Sequence, residues 1–306
     1  MNYTLHQLHV FLEVVKERSI TKASEALFLT QPAVSIQLKK FQDQFPLPLT
    51  EVIGRQLYIT SFGEEIAEVA KNILEEVNKL EYKAKAYQGK LAGRMSISIV
   101  STGKYVMPFY LSGFVQNHPA IDFTIDVTNK DKVVRDLEEN KVDFALVSVL
   151  PKHIGLKKSV LLKNDLYLVG GSNLDKDRKS KINQIFLEQP LIYREQGSAT
   201  RNAMETFIQG KNQPVSKKIE LTSNEAVKQA VIAGLGYSIM PLIGIKKAID
   251  DGEIVIIPYP GLPLSTQWNL IWLKNKKLSP AAEAFINYLE NEKETIRKRH
   301  FNWVKK

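Results

Sequence analysis

Three hydroxyl-rich turns carry the groups best suited to holding a ligand: Ser101-Thr102-Gly103, Ser198-Ala199-Thr200 and Thr222-Ser223. Each falls where a strand-like run hands over to a helical one, and ligands in open α/β sheets sit beyond the carboxyl ends of the strands. Helix N-termini at such turns offer free N–H groups and the positive end of the helix dipole. Lys104 and Arg201 add full charges beside two of the turns. That chemistry predicts a cleft for a small anionic metabolite, a carboxylate or a phosphate. Asn129 after the second strand of this region and Ser148 at the end of the third are further candidates for its wall.

Catalytic sets are missing. The histidines at 6, 9, 118, 153 and 300 are scattered, form no HExxH motif, and stand beside no Ser or Asp in triad order. Gly234-Leu235-Gly236 precedes a strand rather than following one, so it is no dinucleotide fingerprint, and there is no Walker motif. Cysteine is absent, which excludes disulfides, iron–sulfur clusters, thiolate zinc sites and a cysteine nucleophile. The expectation is a binding protein, not an enzyme, with no metal and no cofactor.

The elements that must position these groups fall into three stretches. Residues 1–60 hold short helical patterns, 61–90 one long helix, and 91–306 an alternation of strands and helices. Leu5, Leu8, Phe11, Leu12 and Val15 recur at helical spacing. A second helix has Ala23, Ala26 and Leu27 as its apolar positions, with Ser19 or Thr21 as cap and Glu25 placed to close a capping box. Thr30 caps a third, opened by Gln31-Pro32, with Val34, Leu38 and Phe41 inward. Two short helices joined by a tight turn make a helix-turn-helix, here about 20–39. Gly54 to Thr60 reads as the turn and strand of a wing. In the long helix, Ile66, Ile73, Leu80 and Tyr87 repeat every seven residues, and Val69, Ala70, Val77 and Ala84 widen the stripe. Ile66, Val69, Ile73, Val77 and Leu80 are the candidate dimerisation residues, because a lone helix cannot bury such a stripe.

From 93 onward the pattern is βαβαβ: strand 95–100, helix 104–117, strand 121–127, helix 131–140, strand 144–149. It resumes with strand 191–193, helix 199–209, strand 217–221, helix 223–233 and strand 237–240, then strand 268–273 and a closing helix 280–297. Two α/β lobes with a cleft between them fit this rhythm, the second lobe spanning about 165–267. The chain has 306 residues and a net charge of +9, but residues 1–60 hold six basic and five acidic residues, so a nucleic-acid reading rests on pattern, not charge. The tail 291–306, with six basic and two acidic residues, reads as a solvated end. No apolar run reaches the ~20 residues of a membrane span, and no signal peptide is visible at the start. A cytoplasmic protein without membrane partners is expected, which also argues against a secreted solute-binding protein.

These residues resemble a known family. Leu8-His9-Val10-Phe11, Ser19-Ile20-Thr21-Lys22-Ala23-Ser24, Leu29-Thr30-Gln31-Pro32-Ala33-Val34-Ser35 and Gly54-Arg55 are similar to the winged helix-turn-helix of LysR-type transcriptional regulators, and the resemblance covers nearly the whole chain. Val100-Ser101-Thr102-Gly103-Lys104-Tyr105, Arg194 to Arg201 and Leu278-Ser279-Pro280-Ala281-Ala282 resemble the branch that controls Calvin-cycle operons, the CbbR-like regulators. The resemblance implies a fold that is α/β overall: a winged helix-turn-helix, a linker helix, and a two-lobed effector domain of the periplasmic-binding-protein kind. It also implies a tetramer on an interrupted palindrome of double-stranded DNA, whereas the heptads alone argue for a dimer. Branch relatives respond to phosphorylated metabolites or NADPH, which implies a phosphorylated effector.

On the resembling segments, Gln31, Pro32, Ser35 and Ile36 form the leading face of the third helix, the part that reaches base edges in the major groove. Gln31 suits adenine, Ser35 several bases, and Pro32 and Ile36 a thymine methyl. Many relatives have Arg where Ile36 stands, so a guanine contact is lost. Thr30 is a further candidate for the DNA side, Thr21, Lys22, Lys39 and Lys40 are candidates for phosphate contacts, and Arg55 at the wing tip for the minor groove. The family pattern Leu-Phe-x-Arg before the wing is here Leu49-Thr50-Glu51-Val52, which predicts a loosely packed wing, one lost phosphate contact and weaker intrinsic DNA affinity.

Overall fold

The computed structural model describes residues 2–54, 56–87, 91–172, 186, 189–210 and 217–304. It divides into two compact units, 1–90 and 91–306. Among the described residues no helix is long and apolar enough to cross a membrane.

In the first unit, α1 (Leu5–Glu17) starts in a capping box: Thr4 accepts from the Gln7 N–H while the Gln7 side chain accepts from the Thr4 N–H. Its buried stripe is Leu8, Val10, Phe11 and Val14, with Leu12 and Val15 half-buried and Leu5 47% exposed. The stripe is thus rotated from the expected face, and Leu5 lies outside it in the opening turn. α2 (Ile20–Ala26) is capped by Ser19, which accepts from the Lys22 N–H at 3.3 Å. The expected capping box with Thr21 and Glu25 does not form. The residue three beyond the cap is Lys22, and Thr21 lies within the helix, its carbonyl accepting from the Ser24 hydroxyl. Ala23 is buried, but Ala26 is exposed and Leu27 half-buried.

α3 (Gln31–Gln42) opens on the Thr30 cap and Pro32, and buries Val34, Leu38 and Phe41. Together with Leu8, Val10, Phe11, Val14, Ala23, Leu49, Ala67 and Ala70 these form one core. The wing has two antiparallel strands, β1 (Thr50–Ile53) and β2 (Gln56–Ile59), so the strand before Gly54 adds to the expected one. α4 (Ser61–Tyr87) begins where the Thr60 hydroxyl accepts from the Gly63 N–H at 2.9 Å and donates to the Pro48 carbonyl at 2.7 Å. A Cβ at Gly63 would lie 2.1 Å from the Leu49 carbonyl oxygen, so this position needs glycine. Ala67 and Ala70 seat the helix in the core. Further along, Val69, Ile73 and Leu80 are exposed.

The second unit is built on a seven-stranded mixed sheet. Parallel β4 (Ile121–Thr128), β3 (Gly93–Val100) and β5 (Phe144–Val147) continue antiparallel into β11 (Leu264–Leu273) and β6 (Leu156–Gly171). β6 then carries β9 (Ser238–Pro241) and β10 (Ile254–Ile256) beyond Leu166. A separate parallel pair, β7 (Pro190–Arg194) and β8 (Lys217–Leu221), completes the second lobe. The helices are α5 (Met107–Asn117), α6 (Lys130–Glu138), α7 (Ala199–Gln209), α8 (Asn224–Ile232), α9 (Leu242–Asp250) and α10 (Pro280–His300). Met95, Ile97, Tyr110, Phe114, Phe144, Trp268 and Phe285 anchor the first lobe's core. Leu168, Leu191, Tyr193 and Ile239, and beside them Ile192, Val227 and Ile245, anchor two cores in the second.

Several elements differ from expectation. The helix expected at 104–117 begins at Met107, preceded by a 3₁₀ turn, Ser101–Tyr105. Pro108 supplies the reason: it has no N–H to bond the Lys104 carbonyl, so it is tolerated in the first turn of a helix but not further inside one. β6, α9 and β10 were not anticipated. β6 is the longest strand, yet Lys157, Lys158, Lys163, Asn164 and Asp165 break its apolar pattern. β11 starts four residues earlier than the apolar run from Trp268, because β6 pairs with its polar stretch from Leu264 onward.

Candidate functional site

The first unit presents an outward face. Thr21, Lys22, Thr30, Gln31, Pro32, Ile36, Lys39 and Lys40 are exposed, and Ser35 is half-buried. Those on α3 project because Val34, Leu38 and Phe41 hold its opposite side in the core, and Thr21 and Lys22 lie on α2. The Thr30 hydroxyl accepts from the Ala33 N–H at 3.4 Å, so one lone pair is spent on the cap. Lys16 is taken up by Glu13 and Glu17, while Lys22, Lys39 and Lys40 enter no ion pair among the described residues. Arg55 lies outside the described residues. Phe28 sits in the turn between α2 and α3 at φ 54°, 95% exposed.

The wing root is firmly packed, contrary to expectation. Leu49 is fully buried, and the Thr50 N–H and hydroxyl both donate to Gln42 Oε1 at 2.9 Å. Aromatic packing comes instead from Phe45, stacked on Tyr3 and edge-on to Phe41 and Phe62. The missing charge is not replaced: Val52 is 67% exposed.

The second unit brings the predicted turns to one cleft, at the carboxyl ends of β3 and β7. Ser101 follows β3 and Arg194 ends β7, and Arg194 Nη1 donates to Ser101 Oγ at 2.8 Å across the lobes. Arg194 is only 4% exposed. Its Nε and Nη2 both donate to the Glu195 carboxylate at 2.8 Å. Two more contacts cross the cleft. Tyr105 donates to Glu225 Oε2 at 3.0 Å, and a Cβ on Gly197 (φ 80°) would lie 2.7 Å from Oδ2 of Asp131. Burial, and then the Glu225 carboxylate, push the Tyr105 hydroxyl up to about 12.

The remaining expected residues divide. Ser198 is buried and caps α7, accepting from the Arg201 N–H, with Ala199 and Thr200 half-buried beside it. Asn129 caps α6 by accepting from the Lys132 N–H. Thr102 is buried, Ser148 half-buried and Thr222 exposed. Lys104 is exposed, its Nζ 5.1 Å from the centre of the Tyr105 ring. Gly103 is a packing position: a Cβ there would lie 2.9 Å from Leu146 Cδ2. Arg201 does not present the free charge expected of it. It donates to Glu205 at 2.9 Å, to Glu220 at 2.5 Å and to the Arg194 carbonyl at 3.0 Å, bracing the ends of β7 and β8.

Arg194, Glu195, Tyr105 and Glu225 were missed as site residues, although a charged residue ending a strand is a signal that reading could have used. Asn224 was missed too: it is 1% exposed and packs beside Tyr105 and Gly244. A cavity of about 600 Å³ lies elsewhere, lined by Val160, Lys163, Thr266, Arg297 and Val304 among others. Its cations are paired with Asp165 and Glu294, and none of the expected residues lines it.

A winged helix-turn-helix in one unit and a two-lobed α/β domain in the other are the parts of a ligand-responsive DNA-binding protein. Comparison with known proteins gives the family. Residues 5–64 match the bacterial regulatory helix-turn-helix protein model of the lysR family, and residues 88–294 match the LysR substrate binding domain. The chain is 34% identical over 297 residues to the HTH-type transcriptional activator CmpR of Synechocystis sp., covering 96% of this chain and 97% of that protein. It is 34% identical over 294 residues to the RuBisCO operon transcriptional regulator of Allochromatium vinosum, covering 95% and 97%. Among solved structures it resembles the Synechocystis CcmR regulatory domain in complex with 2-PG (TM-score 0.61, 29% identity, 66% of this chain and 98% of that one). It shares the fold of full-length CbnR complexed with its target DNA (TM-score 0.69, 20% identity, 94% and 99%). The chain belongs to the LysR family of transcriptional regulators; it is a regulator and not an enzyme.

Proposed function

We propose that this regulator reads double-stranded DNA with α3 and is switched by a small anion, a carboxylate or phosphate compound, bound between the lobes of the second unit. The observation that carries the anion reading is the buried Arg194 guanidinium at the carboxyl end of β7, bonded across the cleft to Ser101. A planar guanidinium matches carboxylate and phosphate oxygens in pairs. The similar regulatory domain solved in complex with 2-PG makes 2-PG the first compound to try. The names of the relatives make RuBisCO-type operons the first DNA targets to try.

On this reading Gln31, Ser35 and Ile36 meet base edges, and Lys22, Lys39 and Lys40 meet phosphates. The exposed Val69, Ile73 and Leu80, with Ile66 and Val77, pair α4 with a second copy, and two dimers form a tetramer on an interrupted palindrome in the cytoplasm. The ligand acts by binding one arrangement of the protein better than another. The test is a gel shift of the full chain on genomic fragments with and without 2-PG, at two salt concentrations. Sequence-selective retention that the ligand alters supports the reading. Retention independent of sequence, or indifferent to every anion tried, overturns it.

A further inference from the structure

We infer that Glu195 is a built-in competitor for the effector, a carboxylate that fills the Arg194 fork until an incoming oxyanion displaces it. The inference rests on the reading of the cleft as an anion site. Arg194 Nε and Nη2 each bond a separate oxygen of Glu195, at 2.8 Å. That paired geometry is the one an external carboxylate or phosphate uses on a guanidinium. The third bond, from Nη1 to Ser101, holds the fork in place from the opposite lobe.

Adjacent residues in a strand point to opposite faces, so an Arg-Glu pair of neighbours does not ordinarily meet side on. Here β7 stops at Arg194, and Glu195 begins a turn closed by its own carbonyl, which accepts from the Ser198 N–H, and continued by Gly197 at φ 80°. The turn brings the carboxylate back over the guanidinium. The two partners are held unequally. Arg194 sits at a strand end, buried and bonded to both lobes, whereas Glu195 stands on the turn with its side chain 17% exposed. Exchange therefore moves Glu195 and keeps Arg194. It also replaces one buried anion with another, so the fork is never left as an unpaired buried charge, which is the costly state. The effector's affinity is then the difference between its own bond to the fork and that of Glu195.

The consequence is specific. Removing the competitor's charge should raise affinity for small oxyanions. The test uses the full chain as wild type, Glu195→Gln and Arg194→Lys, titrated calorimetrically with 2-PG and with inorganic phosphate, alongside thermal melts. For Glu195→Gln the inference expects binding on the order of ten- to a hundredfold tighter, the scale of one charge-assisted hydrogen bond. It also expects a lower melting temperature without ligand and a larger rise with it. Arg194→Lys, which keeps the charge but loses the fork, should bind either anion more weakly than wild type. Equal or weaker binding by Glu195→Gln, with wild type binding normally, overturns the inference and leaves the anion reading standing. A lower melting temperature with no gain in affinity shows a structural ion pair only and also overturns it. Binding of neither anion by wild type or by Glu195→Gln overturns the inference and the anion reading together.

Discussion

The two sites use polar groups in opposite ways. On α3 the side chains assigned to DNA point outward, and Lys22, Lys39 and Lys40 enter no ion pair among the described residues. In the cleft the charged groups already have partners: Arg194 has Glu195 and Ser101, Arg201 has Glu205 and Glu220, and Glu225 has the Tyr105 hydroxyl. A surface meant for a large polyanion can leave its cations in water at little cost. A cleft that must stay folded without its ligand has to satisfy its buried charges internally, since an unpaired one is expensive. Binding at the first site adds contacts. Binding at the second exchanges them.

Variants can break this contrast, and the largest effect belongs to the scaffold of the outward face. Phe11 is fully buried in the first unit's core. Phe11→Ala should cost about 3–5 kcal/mol of that unit's stability. DNA binding should fall with it, while anion binding by the second unit survives; a chain that loses both by calorimetry and gel shift would show that the two sites are not separable.

Next comes base reading. Gln31→Ala should cost about 1–3 kcal/mol on the preferred DNA site and little on random DNA, measured by competition gel shift. An equal loss on both sequences would move Gln31 from reading to positioning. Val52→Arg restores the missing wing charge on a root that is already well packed. It should steepen the slope of log affinity against log salt by about one, and an unchanged slope would show that this strand does not approach a phosphate.

Smaller effects fall in the cleft. Arg201→Ala should cost on the order of 1 kcal/mol, because its partner Glu220 is largely exposed. It should weaken anion binding less than Arg194→Lys does. A loss of anion binding equal to that of Arg194→Lys would return Arg201 to the ligand. The smallest effect is from pH. The Glu225 carboxyl is held below its ordinary value of 4.5, first by the hydrogen bond from Lys228 and then by those from Gln229 and Tyr105, against its burial. A depressed folded value means that its stabilising contribution is present above that ordinary value and is lost as pH falls through the folded one. Tyr105→Phe should therefore shrink the loss of stability below about pH 4.5 slightly, as read from urea midpoints across that range.

The same contrast decides what could be read from the residues. α3 was legible because its determinants are local: Thr30 as cap, Pro32 in the first turn, and Val34, Leu38 and Phe41 at helical spacing. The parallel strands β3, β4 and β5 showed as apolar or alternating runs. β6 did not, because it serves both lobes and carries Lys163, Asn164 and Asp165 at the point where its partners change. The wing root was misjudged because Phe45 replaces, from outside the motif, the aromatic missing at Thr50. The hydroxyl turns of the cleft were found by their place after strands, but not the pairing of their charges. Arg201 looked free and Arg194 unremarked, since pairing between residues such as Arg201 and Glu220 depends on β7 and β8 lying side by side.

On the proposed reading, an oxyanion in the cleft governs how α3 engages DNA. A footprint of the full chain on a RuBisCO-type promoter, titrated with 2-PG at constant salt, tests it most directly. The footprint is expected to change in extent as the ligand saturates, with Glu195→Gln changing at lower ligand concentration than wild type. A footprint identical at every concentration, from a chain that calorimetry shows to be loaded with the ligand, would contradict it.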